Sequence, residues 1–189
     1  MREGFRDYAP GPVNKEGEVG DKDLVVGFLK RMGELSVLES CSVDEVDHLK
    51  KALVSLKNLS REKREHSLRV AERTARVLPS GTAVVGALLH DLAERSPKGY
   101  SKIASKIPKK VDRVVGALTV KTPKGKNAPL LHLKKVLPKL GPKAQQWAIV
   151  IKLCDRLDNL TKRPLTEKGV SDEYAKKSKQ LFLFLAKSL

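Results

Sequence analysis

Polar residues on three helical runs, two of them otherwise largely apolar, hold the chemistry-bearing groups of this chain. His66 lies in "REHSLRVAERTARV", His90 and Asp91 sit inside "VVGALLHDLAER", and Asp155 ends the apolar part of "WAIVIKLCDRLDNL". Taken singly, each has an ordinary explanation. A lone histidine on an apolar face is usually a hydrogen-bonded core residue, and a lone aspartate near a helix end is usually a salt-bridge partner. Taken together, two imidazoles and two carboxylates on three helices sharing one core form a mixed nitrogen and oxygen set. Such a set suits a borderline divalent cation such as Mn, Fe, Zn, Co or Ni. A cation also explains how the carboxylates tolerate apolar surroundings, where an uncompensated charge is costly. Glu94 stands one turn beyond His90 and Asp91, and Asn159 one turn beyond Asp155, each on the same helical face.

The elements that must position these residues are helical. Leu, Val, Ala, Lys and Glu are abundant and aromatics make up 4% of the chain, a helix-favouring composition. "DLVVGFLKRMGELSVL" has helical spacing through Leu24, Phe28, Leu35 and Leu38. "SVDEVDHLKKALVSL" is a stronger helix, opened by a Ser42–Glu45 capping box. Further helices are expected from about Arg61 to Leu78 and from about Thr82 to Glu94, with Pro79-Ser80-Gly81 between them. "YSKIASKI" and "KKVDRVVGALTV" follow, divided by Pro108. Next come the basic loop "KTPKGKNAP", "LLHLKKVLPKL", the long "GPKAQQWAIVIKLCDRLDNL" and the closing "SDEYAKKSKQLFLFLAKSL". No convincing β-run or internal repeat is present, so the expected class is all-α. The expected organisation is a tail over 1–20, two helices over 21–58 that pack on the core, and a metal-bearing helical bundle over 59–189. His48 reads as exposed, and Trp147 as a core anchor.

The order H…HD…D formed by His66, His90-Asp91 and Asp155 resembles the HD-domain metal-dependent phosphohydrolases. More specifically, "ALLHDLAERS", the 24 positions from His66 to His90, "KVDRVVGALTV" and "VIKLCDRLDNL" 64 positions beyond Asp91 resemble the hydrolase domain of the RelA/SpoT family, including its small alarmone hydrolases. The resemblance covers about residues 60–165. It implies an HD-type helical bundle with a metal site between core helices. His66, His90, Asp91 and Asp155 would be the ligands, and manganese the usual metal. Glu94 would orient or activate the attacking water, and Asn159 would contact the nucleotide. The implied reaction releases pyrophosphate from the 3′ position of guanosine tetra- or pentaphosphate, with Lys98 and neighbouring cations holding the remaining phosphates.

Two departures from the family pattern stand out. The family's H-D-x-x-E-D has Arg95 at its sixth position here; either loss of the acid impairs proton transfer or positioning of the catalytic water, or the guanidinium binds a substrate phosphate in its place. Around the first histidine the family wording P-Y-x-x-H-P is replaced by "SREKREHSLRVAER", in which Arg61, Lys63 and Arg64 are the stand-ins for base and phosphate contacts. These departures leave two other readings beside the alarmone hydrolase. One is an HD phosphohydrolase acting on other nucleotides or on nucleic-acid phosphodiesters. The other is a non-catalytic metal-containing protein that binds a nucleotide or nucleic acid.

The formal charge is +16, and it is concentrated. Between Pro97 and Lys143, twelve Lys and one Arg face a single acid, Asp112. Such a field attracts polyanions, including nucleic acid, although aromatics suited to stacking on unpaired bases are not interleaved with the cations. No apolar run is long enough to span a bilayer and no signal-peptide pattern opens the chain, so a membrane partner is not expected. Two distant cysteines, Cys41 and Cys154, fit a reducing cytoplasm better than a disulfide scaffold.

Overall fold

The computed structural model describes residues 21–119, 128–162 and 172–188; the expected tail over 1–20 and most of the basic loop over 121–129 lie outside them. The described residues form an all-α bundle without strands. In chain order its helices are α1 (Asp21–Glu34), α2 (Val43–Ser55), α3 (Arg61–Val77), α4 (Gly81–Arg95), α5 (Pro97–Ala104), α6 (Lys109–Leu118), α7 (Ala128–Val136), α8 (Pro142–Lys162) and α9 (Asp172–Ala186). Short 3₁₀ turns extend α2 and α7.

α4 is the axis of the molecule. Thirteen consecutive residues, Gly81 to Ala93, are buried, as expected of a helix that is apolar on every side. α2, α3, α5, α6 and α8 all pack against it. Its crossing with α8 is close at Gly86, where an added Cβ would lie 3.2 Å from Ile151 Cδ1. One continuous core joins Phe28 and Met32 of α1, Leu49 and Ala52 of α2, and Leu88 and Leu89 of α4 to Ile149 and Ile151 of α8. α1 and α2 therefore share the apolar centre of the bundle.

Local signals fix several boundaries. The Ser42 hydroxyl accepts from Glu45 N–H while the Glu45 carboxylate accepts from Ser42 N–H, so the capping box is formed in full. α1 ends four residues earlier than its apolar spacing suggests. There Val37 N–H reaches back to the Met32 carbonyl and Ser36 adopts φ 55°, a left-handed helix stop that apolar periodicity cannot reveal. α3 and α4 are separated by Leu78–Ser80, and α8 runs unbroken through the whole apolar stretch that carries Asp155. His48 is half-buried rather than exposed, because the face of α2 that carries it turns partly toward the core. Trp147 is buried as expected.

Candidate metal centre

α3, α4 and α8 bring His66, His90, Asp91 and Asp155 to one point. All four are buried, between 5% and 7% exposed. One ligand atom from each of His66, His90 and Asp91 fits within 4.8 Å of the others, the spacing of groups that can share a cation. Asp155 Oδ1 lies 3.3 Å from His66 Nε2 and 3.9 Å from His90 Nε2. The two imidazoles meet edge to face, with ring centroids 5.4 Å apart.

Hydrogen bonding orients both rings. The His90 Nδ1 atom is 2.6 Å from the Ala87 carbonyl, which can only accept, so Nδ1 holds the hydrogen. In the neutral ring, Nε2 then presents a lone pair toward Asp91 Oδ1, 3.7 Å away. His66 Nδ1–H donates to Asp158 Oδ2 at 2.8 Å, leaving its Nε2 directed at Asp155. A histidine whose far nitrogen donates to a carboxylate or carbonyl is the usual support for a metal-ligating imidazole.

Asp158 had no role in the sequence reading, yet it is completely buried. Arg69 donates to both of its oxygens, through Nε at 2.9 Å and Nη2 at 3.1 Å, and Arg73 Nε lies 3.5 Å away. Burial alone would raise its pKa. The hydrogen bonds from His66 and Arg69 outweigh burial and hold it at about 2. The signal was present in the spacing: Asp158 is three residues past Asp155 and shares its face.

Asp155 is also held from its own helix. Lys152 Nζ lies 2.7 Å from Oδ2, and Asn159 Nδ2 donates to Oδ1 at 2.6 Å and to the Asp155 carbonyl at 2.9 Å. Despite burial, Lys152 and His66 keep this carboxyl well below the usual range. For His66, burial opposes the charged form. Hydrogen bonds to Asp155 and Asp158 override it and push the pKa up to about 9. The two carboxylates thus favour an imidazolium between them, and ligation of a cation at Nε2 would require loss of that proton.

The donor chemistry fits a divalent cation. His90 Nε2 and Asp91 Oδ2 are buried with no hydrogen-bond partner among the described residues. Buried polar atoms are seldom left unpaired, and these two belong to adjacent residues of the one group whose atoms converge. A cation would satisfy both.

The remaining sequence candidates are arranged more loosely. Glu94 and Arg95, in the last turn of α4, are exposed, as is Lys98 at the start of α5. Arg61 is exposed and paired with Glu65, with Nε 3.1 Å from Oε1. Lys63 and Arg64 are half-buried. Arg64 lines an apolar cavity of about 420 Å³ with Leu24, Leu53, Leu56 and Leu68. Leu68 lies two residues beyond His66 on α3, so this cavity faces away from the histidine side of that helix. Asn159 supports Asp155 within the site. The described residues include no helix long and apolar enough to cross a membrane. No family model, curated protein or solved structure matches this chain.

Proposed function

We propose that this protein is an HD-type metal-dependent phosphohydrolase acting on a nucleotide polyphosphate, guanosine 3′,5′-bis(diphosphate) being the first substrate to try. One observation carries the reading: two imidazoles, each fixed by a hydrogen bond at Nδ1, converge through Nε2 on two buried aspartates. His66, His90, Asp91 and Asp155 would hold the cation, and manganese is the metal that the sequence resemblance favours. Such a cation supplies a hydroxide nucleophile near neutral pH and neutralises charge on the attacked phosphoryl group.

The chain's own residues do the rest. Asp158 and the Ala87 carbonyl keep the two rings aimed. Lys152 and Asn159 hold Asp155 in register. Glu94, on the open end of α4 one turn from His90, is available to take the proton of the attacking water. Arg95 at the end of α4 and Lys98 at the start of α5, both exposed, would supply positive charge for substrate phosphates.

Product analysis with a panel of nucleotides in Mn-containing buffer tests the proposal. GDP and pyrophosphate should appear from the tetraphosphate, and Asp91→Ala should abolish their release. Metal-loaded protein that binds the nucleotide without turnover would overturn the catalytic reading. Hydrolysis of simple nucleotides alone would shift the substrate class.

A further inference from the structure

Most of the chain's net charge of +16 comes from one stretch, residues 97–143, which carries thirteen cations and one acid. Residues 21–96 are nearly balanced, with thirteen Lys and Arg against twelve acids. Within 97–119 and 128–143 there are ten cations and one acid. All ten cations are exposed, on α5, in the α5–α6 turn, on α6, and from α7 to the start of α8. None makes an ion pair among the described residues. The single acid, Asp112, accepts a hydrogen bond from the Tyr100 hydroxyl at 2.7 Å. Elsewhere, cations such as Arg31, Lys51, Arg61, Arg69 and Arg76 are engaged by carboxylates.

Part of this charge is also fixed in place. Lys110 from α6 and Lys143 from α8 both set their ammonium groups over the Trp147 ring, 5.6 Å and 5.7 Å from its centroid. The indole gathers two cations from different helices into one spot. It does not offer a stacking surface, because Trp147 is itself 4% exposed. Tyr100 is half-buried with its hydroxyl engaged. Unpaired bases therefore have no aromatic platform here. Insertion into lipid is also poorly served. Of the large exposed apolar residues among those described, Leu131 alone belongs to this stretch; Val26, Val43, Val54, Val77, Leu157 and Leu183 lie elsewhere.

We propose that the face built from α5, α6 and the α7–α8 connection binds the phosphate backbone of a nucleic-acid duplex, independently of the metal centre. Its lysines act as unpaired, solvent-accessible charges that displace condensed counterions, a mode that reads no base sequence.

The test uses the full chain and a fluorescent 20-base-pair duplex, with anisotropy measured across a salt series. Binding should weaken steeply with salt. Joint replacement Lys109→Gln, Lys110→Gln, Arg113→Gln and Lys143→Gln should lower affinity by about tenfold or more and flatten the salt slope by roughly three to four. Replacing Lys30 of α1 and Arg76 of α3, both exposed and outside this stretch, with Gln should change little. His90→Ala, which removes a proposed metal ligand, should leave duplex binding intact, so this proposal and the hydrolase reading fail separately. The inference is overturned by a flat salt response, by an unaffected quadruple variant, by tighter binding to a single strand of equal length, or by binding to phosphatidylserine vesicles in place of the duplex. Circular dichroism verifies that each variant keeps its helix content.

Discussion

Two clusters of charge in this molecule follow opposite rules. Between α3, α4 and α8, Asp155 and Asp158 are buried, and each is met by an imidazole and by Lys or Arg at 2.7–3.3 Å. From α5 through α7 to the first turn of α8, ten exposed cations pair with no described carboxylate. Burial is the difference. In the low-dielectric interior an unmatched charge is too costly to keep, so every member of the knot has a position dictated by its partners. On the surface, solvent screens each ammonium group, so composition can drift until only the net field matters. The inner cluster therefore specifies geometry, whereas the outer one specifies only the sign of a partner.

Substitution should expose this contrast, most strongly at the centre. His90→Ala removes a ligand whose ring orientation is fixed, and Mn affinity by calorimetry should fall well beyond about 100-fold. Retention of tight stoichiometric binding would show that the inner cluster is only structural.

The pH dependence of stability should be the next largest effect. His66 titrates near 9 when folded, above the value of about 6.5 expected unfolded. Its contribution to cation-free stability is fully present below about pH 6.5 and is lost as pH rises through about 9. The loss amounts to about 3 kcal/mol. Urea melts between pH 6 and 10 should show that alkaline limb, and saturating Mn should remove it. A flat profile would mean that the imidazolium bridge contributes nothing.

Asp158→Asn keeps the shape of the side chain but discards its charge. It should weaken Mn binding by about 10- to 100-fold. It should also flatten the acid limb of stability, which in the parent falls as pH drops below about 4 toward about 2. Unchanged affinity would remove Asp158 from the site's support. At the far end of the scale, Lys102→Gln with Lys106→Gln should shift unfolding free energy by less than about 0.5 kcal/mol. A larger destabilisation would show that the basic face is coupled to the core after all.

The same contrast explains what could be read beforehand. The all-α class followed from composition and apolar spacing, and the α2 start followed from Ser42 and Glu45, because those signals are local. The gathering of His66, His90 and Asp91, with Asp155 beside the two histidines, was legible because polar residues on three helices that share one core have few other arrangements. The support of that group was harder. Both Asp158 and Asn159 lie about one turn past Asp155, and which of them meets His66 depends on the rotation of α8 about its own axis. Tertiary packing sets that rotation, not the helical repeat. Exposure of Glu94 was equally hidden, since periodicity assigns a face and does not say where the covering elements end.

The anchors of the two histidines differ in reach, and that difference has a consequence for assembly. Ala87 precedes His90 by three residues in α4, so a single turn of helix can orient that imidazole as soon as it winds. Asp158 is 92 residues from His66, so the other imidazole stays unaimed until α8 docks. Half of the constellation is written into secondary structure, and half waits for the chain to close. A cation arriving early would meet a ready histidine and aspartate on α4, and completing its shell would draw α8 into place.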